Sequence, residues 1–284
     1  MRSISGLRRG MVWATLLRGL RSPATRGEVA SPDQREAVRR AALAVGALAC
    51  LALITLLLGL PQLPPKESAI AAFSTGLGGR AHSQVHNLRL ALASLDGEVI
   101  APGEEFSFDR AVGPWTVDRG YRRAPVSYSG EMVLDWGGGV CQASTTLYNA
   151  ALLAGLPIIE RHRHQWPTTY VPPGQDAAVA YPNIDLRFRN TLNSPIHIWA
   201  RIIGESAIVR LCSRERLPRV RIEREILAMA PPATVTHFGP GPRRTTRGQP
   251  GCEVAVYRSF LSGAQRRELV SRDNYPAQNR LIWR

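Results

Sequence analysis

Lysine is nearly absent from this 284-residue chain: Lys66 is the only one, and the rest of the 36 Lys+Arg are arginine. That bias reads as a coding habit of the genome. Cysteine is scarce as well. Four cysteines cannot build a disulfide scaffold, and without a CxxC pair they cannot form the usual structural zinc site. No Gly-Lys-Ser/Thr follows the glycine triplet at 137–139, which excludes a phosphate-cradling loop of that type. There is no internal repeat. Charged residues make up only 20% against 44% hydrophobic, so a wholly disordered chain is excluded. The length suits one large domain, or one with a small addition.

One long hydrophobic run is present. Residues 41–60 contain no charge, and 20 helical residues rise about 30 Å, the thickness of a bilayer's hydrocarbon core. We read a single membrane span there. The run is too long and too far from Met1 for an ordinary signal peptide. Nine arginines and three acids precede it. The positive-inside rule then keeps residues 1–40 as a basic cytoplasmic tail and places the remainder outside the membrane. The exported part carries a net charge of +8, which suits anionic lipid headgroups or wall polymers. Nucleic acid is excluded by compartment.

Beyond the span, the Pro-rich stretch after Leu60 reads as a linker over 61–72. Val85, Leu88, Leu92 and Leu95 predict a helix over 83–95 that stops at Asp96-Gly97. A second helix is expected over 140–154, with Leu147, Ala150, Ala151 and Ala154 on an apolar face, ended by Gly155 and Pro157. Strands are expected at 170–171, 177–181, 185–188, 196–203, 207–211 and 253–257. Few helices and many strands indicate an α+β domain over 73–230. Residues 231–284 are expected to form a small β appendage after a Gly/Pro/Arg-rich stretch at 239–251.

Chemistry concentrates where Gly137-Gly138-Gly139 leads through Val140 into Cys141 and Gln142. A helix N-terminus lowers a thiol's pKa and presents amides to an oxyanion. Glycines before it allow a close approach to the backbone. The plain alternative is an inert cysteine packed beside a tight turn. A thiolate needs a base, and His162 and His164 follow the helix. If 160–166 were a strand, both would point one way and a metal pair with Cys141 is conceivable, but no fourth ligand is evident. We expect neither a metal nor a cofactor. Cys212 and Cys252 are able to pair in an oxidising compartment, leaving Cys141 free.

The ordered motifs Phe106-Ser-Phe-Asp, Val112-Gly-Pro, Arg119-Gly-Tyr, Gly137-Gly-Gly-Val-Cys-Gln-Ala-Ser-Thr-Thr-Leu-Tyr-Asn149, Glu160-Arg161, His164, Tyr170-Val-Pro-Pro-Gly174, Asp176-Ala-Ala-Val and Asp185-Leu-Arg-Phe-Arg-Asn190 resemble the VanW family. The resemblance runs from about Phe73 to Leu211. A fainter tail, Val256-Tyr-Arg and Glu268-Leu-Val-Ser-Arg-Asp273, is similar too. Gln165 and Ala143 depart mildly from the pattern.

The resemblance implies a bacterial cell-wall role linked to vancomycin-resistance clusters. In some members it implies L,D-transpeptidase activity through a cysteine that matches Cys141, with His164 as the matching histidine. Asp176 is then the candidate for orienting the imidazole, with Asp185 as runner-up. The amides of Cys141 and Gln142 would form the oxyanion hole, and peptidoglycan stem peptides would be the partner. A hydrolase would use the same residues with water as acceptor. The competing expectation is a non-catalytic peptidoglycan-binding or accessory module.

Overall fold

A computed structural model describes residues 68–284 apart from 129–130, 216, 240–242 and 262–265, together with Glu36 and Arg40. The chain divides into two compact units, Met1–Leu63 and Pro64–Arg284. Of the first, Glu36 and Arg40 are helical and form an ion pair at 2.8 Å. The basic tail and the expected span at 41–60 otherwise lie outside the described residues. Among the described residues, no helix is long and apolar enough to cross a membrane.

The second unit is a mixed α+β fold dominated by strands. Its first sheet is antiparallel and four-stranded, in the order β1 (Ser68–Gly76), β9 (Ser206–Ser213), β8 (Ile196–Ile203), β2 (Val99–Ile100). β1 begins inside the segment expected as linker. β8 alternates buried residues with half-buried or exposed ones over its first six positions, which fits a strand with one face on a core. On this sheet lie α1 (His82–Leu95) and α3 (Val140–Leu153), which also pack on each other. α1 buries Leu88, Ala91, Leu92 and Leu95. It stops as expected: Gly97 takes φ 93°, and the Asp96 carboxylate accepts from the Ala200 amide at 3.0 Å, tying the helix end to β8.

α3 is buried nearly all round, including Ser144, Thr145, Thr146 and Asn149. Each buried hydroxyl or amide needs an internal partner, and those partners shape the candidate site. A second sheet joins β3 (Glu105–Ser107), β7 (Arg187–Arg189) and β6 (Ile158–Glu160). It leads into the short α2 (Phe108–Val112), capped by Ser107, whose hydroxyl accepts from the Arg110 amide at 3.2 Å. β4 (Arg123–Tyr128) and β5 (Glu131–Trp136) form a hairpin that delivers the chain to the glycine triplet.

The C-terminal part is built of strands. β10 (Val220–Ala230) pairs along its length with β13 (Gly251–Phe260), which pairs with β14 (Arg266–Tyr275). β11 (Thr234–His237), β12 (Arg244–Thr245) and β15 (Arg280–Trp283) make another three-stranded sheet. A boundary at 231 would cut between paired strands, and 64–284 is one compact unit. Backbone pairing, invisible in composition, decides this. The strands expected at 170–171 and 177–181 are irregular segments with isolated bridges at Ala178 and Ala180.

Candidate functional site

The glycine triplet shapes the entry to α3. Gly137 and Gly139 have φ of 78° and 105°, a region side chains rarely adopt, and Gly139 is the helix N-cap. A Cβ on Gly137 would lie 2.1 Å from the Trp115 ring, and one on Gly139 would lie 2.2 Å from the Gln84 carbonyl oxygen. One on Gly138 would lie 2.7 Å from the Pro125 carbonyl oxygen. All three glycines are therefore required by the protein's own packing.

Cys141 follows, one residue into the helix and half-buried. Its sulfur donates to the Val179 carbonyl oxygen at 3.5 Å, and the His164 imidazole is near enough to act on the thiol. On the other side of the ring, His164 Nδ1 donates to Asp176 Oδ2 at 2.7 Å, which leaves Nε2 as the ring nitrogen for the sulfur. The His164 amide donates to the same Oδ2 at 2.6 Å. His164 and Asp176 thus form a hydrogen-bonded pair, with Cys141 beside the imidazole.

The electrostatics follow from that arrangement. Burial pushes the Cys141 thiol up, but the hydrogen bond and charge of His164 outweigh it, and the net shift is downward. Burial opposes a charged His164, yet Asp176 and Cys141 together raise it to about 10. Asp176 is buried, which alone would raise its pKa; His164 and Arg161 overcome this and lower it to about 2. All three shifts run toward a thiolate–imidazolium pair backed by a carboxylate. Tyr170 stands in the field of Cys141, with the Arg80 guanidinium 5.3 Å from its ring centroid. Burial first, and then Cys141, push its phenol up, so it stays protonated.

Two sets of residues outside the sequence expectation hold Asp176. The first lies on α3 itself. Ser144 Oγ donates to the Ala177 carbonyl at 2.7 Å, and Thr145 Oγ1 accepts from the Ala177 amide at 2.9 Å. Asn149 Nδ2 donates to the Gln175 carbonyl at 2.7 Å. The helix that carries Cys141 therefore clamps the backbone on both sides of Asp176. The second set comes from β6 onward and the C-terminal sheet. Arg161 Nε donates to the Asp176 carbonyl at 2.6 Å, and its Nη2 lies 3.2 Å from Oδ1. Its Nη1 reaches both oxygens of Asp273 at 2.7 Å. Tyr275 donates its hydroxyl to Asp176 Oδ1 at 2.5 Å. The family-like tail at Glu268–Asp273 was the available signal, but nothing in it indicated contact with the site.

The remaining sequence candidates have other roles. Gln142 is buried; its Nε2 donates to Thr75 Oγ1 at 3.0 Å and the Gly76 carbonyl at 2.9 Å, tying α3 to β1. Its amide already donates to the Gly139 carbonyl at 3.1 Å. His162 is exposed and meets Glu160 Oε1 at 3.1 Å, because 160–166 is not a continuous strand that would align it with His164. Asp185 accepts from Ser107 Oγ at 2.6 Å and from the amides of Asp109 and Leu186. It lines a separate polar cleft of about 610 Å³ with Asp109, Glu160 and Arg187. There Asp109 is raised to about 6 by burial and by the nearby Asp185 and Glu160 carboxylates. Cys212 and Cys252 do not form a disulfide; they sit in different sheets, on β9 and β13. Among the described residues, no group of three or more His, Cys, Asp and Glu is arranged to hold a metal ion.

Residues 83–212, which contain Cys141, His164 and Asp176, match the model of the family described as VanW like protein. Over these residues the chain is VanW-like. It is 41% identical over 155 residues to the "Uncharacterized protein YoaR" of Bacillus subtilis (strain 168), covering 51% of this chain and 51% of that one. It is 34% identical over 131 residues to the "Vancomycin B-type resistance protein VanW" of Enterococcus faecalis (strain ATCC 700802 / V583), covering 44% and 48% respectively. The chain thus spans about half the length of these curated relatives. No solved structure matches. The VanW-like match ends at residue 212, so β14, which reaches Asp176 through Tyr275, lies beyond it.

Proposed function

We propose that the VanW-like domain is a cysteine acyl transferase acting on peptidoglycan stem peptides outside the membrane. The observation that carries this is the His164–Asp176 pair, bonded at 2.7 Å, standing beside the Cys141 thiol at the start of α3. The Cys141 thiolate attacks a stem-peptide carbonyl. The C–N bond to the leaving amine breaks as the His164 imidazolium gives that amine its proton, leaving a thioester on Cys141. An incoming amine then loses a proton to His164 and attacks the thioester, and the C–S bond breaks to regenerate the thiolate. Asp176 holds the ring and its charge throughout. The Cys141 amide, in the first turn of α3, is our candidate oxyanion donor, and one such donor is typically worth about 3 kcal/mol of barrier.

The wall assignment rests on the family, and on the vancomycin resistance in the name of the Enterococcus faecalis relative. The location rests on the uncharged run at 41–60 and the arginine excess before it. A reporter fused after Arg284 should be active only outside the cytoplasm, and cytoplasmic activity overturns that part. The decisive experiment incubates the full chain with tetrapeptide stems and maps adducts by mass spectrometry. An acyl adduct on Cys141, absent in Cys141→Ser, is expected. A folded chain that binds stems without any adduct is instead a wall-binding module.

A further inference from the structure

Asp176 has two oxygens with different tasks. Oδ2 takes both donors of His164, the amide and Nδ1. What stops the carboxylate from turning away must therefore act on Oδ1. Arg161 is a weak candidate, at 3.2 Å and committed to both oxygens of Asp273. Tyr275 is the close donor, at 2.5 Å. The Gly174 amide donates to the tyrosine oxygen at 2.8 Å, occupying a lone pair and directing the hydroxyl proton at Asp176.

The tyrosine is itself fixed. It is 1% exposed, lies opposite Cys252 in the β13–β14 ladder, and has the Arg163 guanidinium 5.4 Å from its ring centroid. Gly174 brings the loop onto the sheet: with φ of 89°, a Cβ there would lie 2.5 Å from Val256 on β13. Asp273 and Tyr275 are two residues apart on β14, the spacing that puts both side chains on one face of a strand. One reaches Asp176 directly and the other through Arg161. Burial and the neighbouring Asp176 raise the phenol's pKa, so it remains a donor at any working pH.

We propose that Tyr275 is a positioning residue that fixes Asp176 for His164, making the C-terminal sheet a working part of the Cys141 site. The inference rests on the reading of Cys141 as nucleophile. Without the hydroxyl, the carboxylate is held at Oδ1 by Arg161 alone and swings toward it, so His164 loses its alignment and the thiolate loses its counter-charge.

The test is the pH profile of Cys141 alkylation by iodoacetamide in the full chain, read by peptide mass spectrometry. Tyr275→Phe keeps the ring and removes the donor. Its midpoint should move up by about one pH unit, with alkylation at pH 7 roughly tenfold slower, as expected for one lost hydrogen bond to a charged group. An unchanged profile in a folded variant means Tyr275 only packs, and overturns the proposal. A downward shift means that the hydroxyl restrains the carboxylate's basicity instead of placing it, which also overturns it. If Tyr275→Phe does not fold, Asp273→Asn keeps the tyrosine and frees Arg161 to pull on Asp176. With Tyr275 still holding Oδ1 the midpoint should stay at the wild-type value, and a rise there means that Arg161, not Tyr275, sets Asp176, which overturns the proposal. Wild-type Cys141 alkylating no faster than Cys252 sinks the acyl-transferase reading itself, a result distinct from all of these.

Discussion

His164 donates twice to one oxygen of Asp176, from its amide at 2.6 Å and from ring Nδ1 at 2.7 Å. The two bonds share an acceptor, so the ring cannot rotate about its side-chain bonds without losing the alignment that its own backbone helps set. This coupling makes the site sensitive at several separate positions.

Asp176→Ala should destabilise the domain by about 3 kcal/mol, because it leaves a buried guanidinium and a half-buried histidine short of an anion. The side chain of Arg161 is 6% exposed, so water cannot substitute. Urea unfolding measures this, and a loss below about 1 kcal/mol would show the pair to be dispensable.

Acid stability follows from the same carboxylate. Its folded pKa of about 2 lies below the ordinary 3.8. The stabilisation is thus fully present above pH 4 and lost as the pH falls through about 2. The gap corresponds to about 2 kcal/mol. Wild type should lose stability across that window, and Asp176→Asn should show a flatter profile.

His164→Ala removes the charge that holds the Cys141 thiol down; burial and the Asp176 charge then push it up against only the Val179 hydrogen bond. The alkylation midpoint should rise to or beyond the usual thiol value near 8.5. A midpoint unchanged from wild type would mean that the helix terminus, and not His164, activates the sulfur.

Gly139→Ala forces a Cβ 2.2 Å from backbone at φ 105° and should cost more than about 2 kcal/mol. Gly204→Ala has nothing within 4 Å at φ 54° and should cost about 1 kcal/mol. Equal thermal shifts for the two would contradict the packing role assigned to the triplet.

Thr145→Val removes the hydroxyl that accepts from the Ala177 amide, leaving a buried donor unpaired. A loss of about 1–3 kcal/mol is expected. Cys141 reactivity should fall with it, because the clamp beside Asp176 loosens.

Much of this was legible in the sequence alone. Helical spacing gave α1 and α3 to within a residue or two, because a buried helix face repeats every three to four positions. The glycine triplet and Cys141 stood together at one helix start, and His164 and Asp176 followed in family-like motifs. The reasons behind them were not legible. The triplet's glycines are demanded by Trp115, Gln84 and Pro125, which meet the turn only after β4, β5 and α1 have packed. His162 and His164 could not be separated until the backbone of 160–166 departed from a regular strand. Tyr275 lies 99 residues from Asp176, and its hydroxyl carries no sequence signal of where it points. Local periodicity determined the helices and the order of the reactive residues. Strand pairing across the chain decided which groups surround Asp176, because ladder hydrogen bonds join residues whose separation no local pattern records.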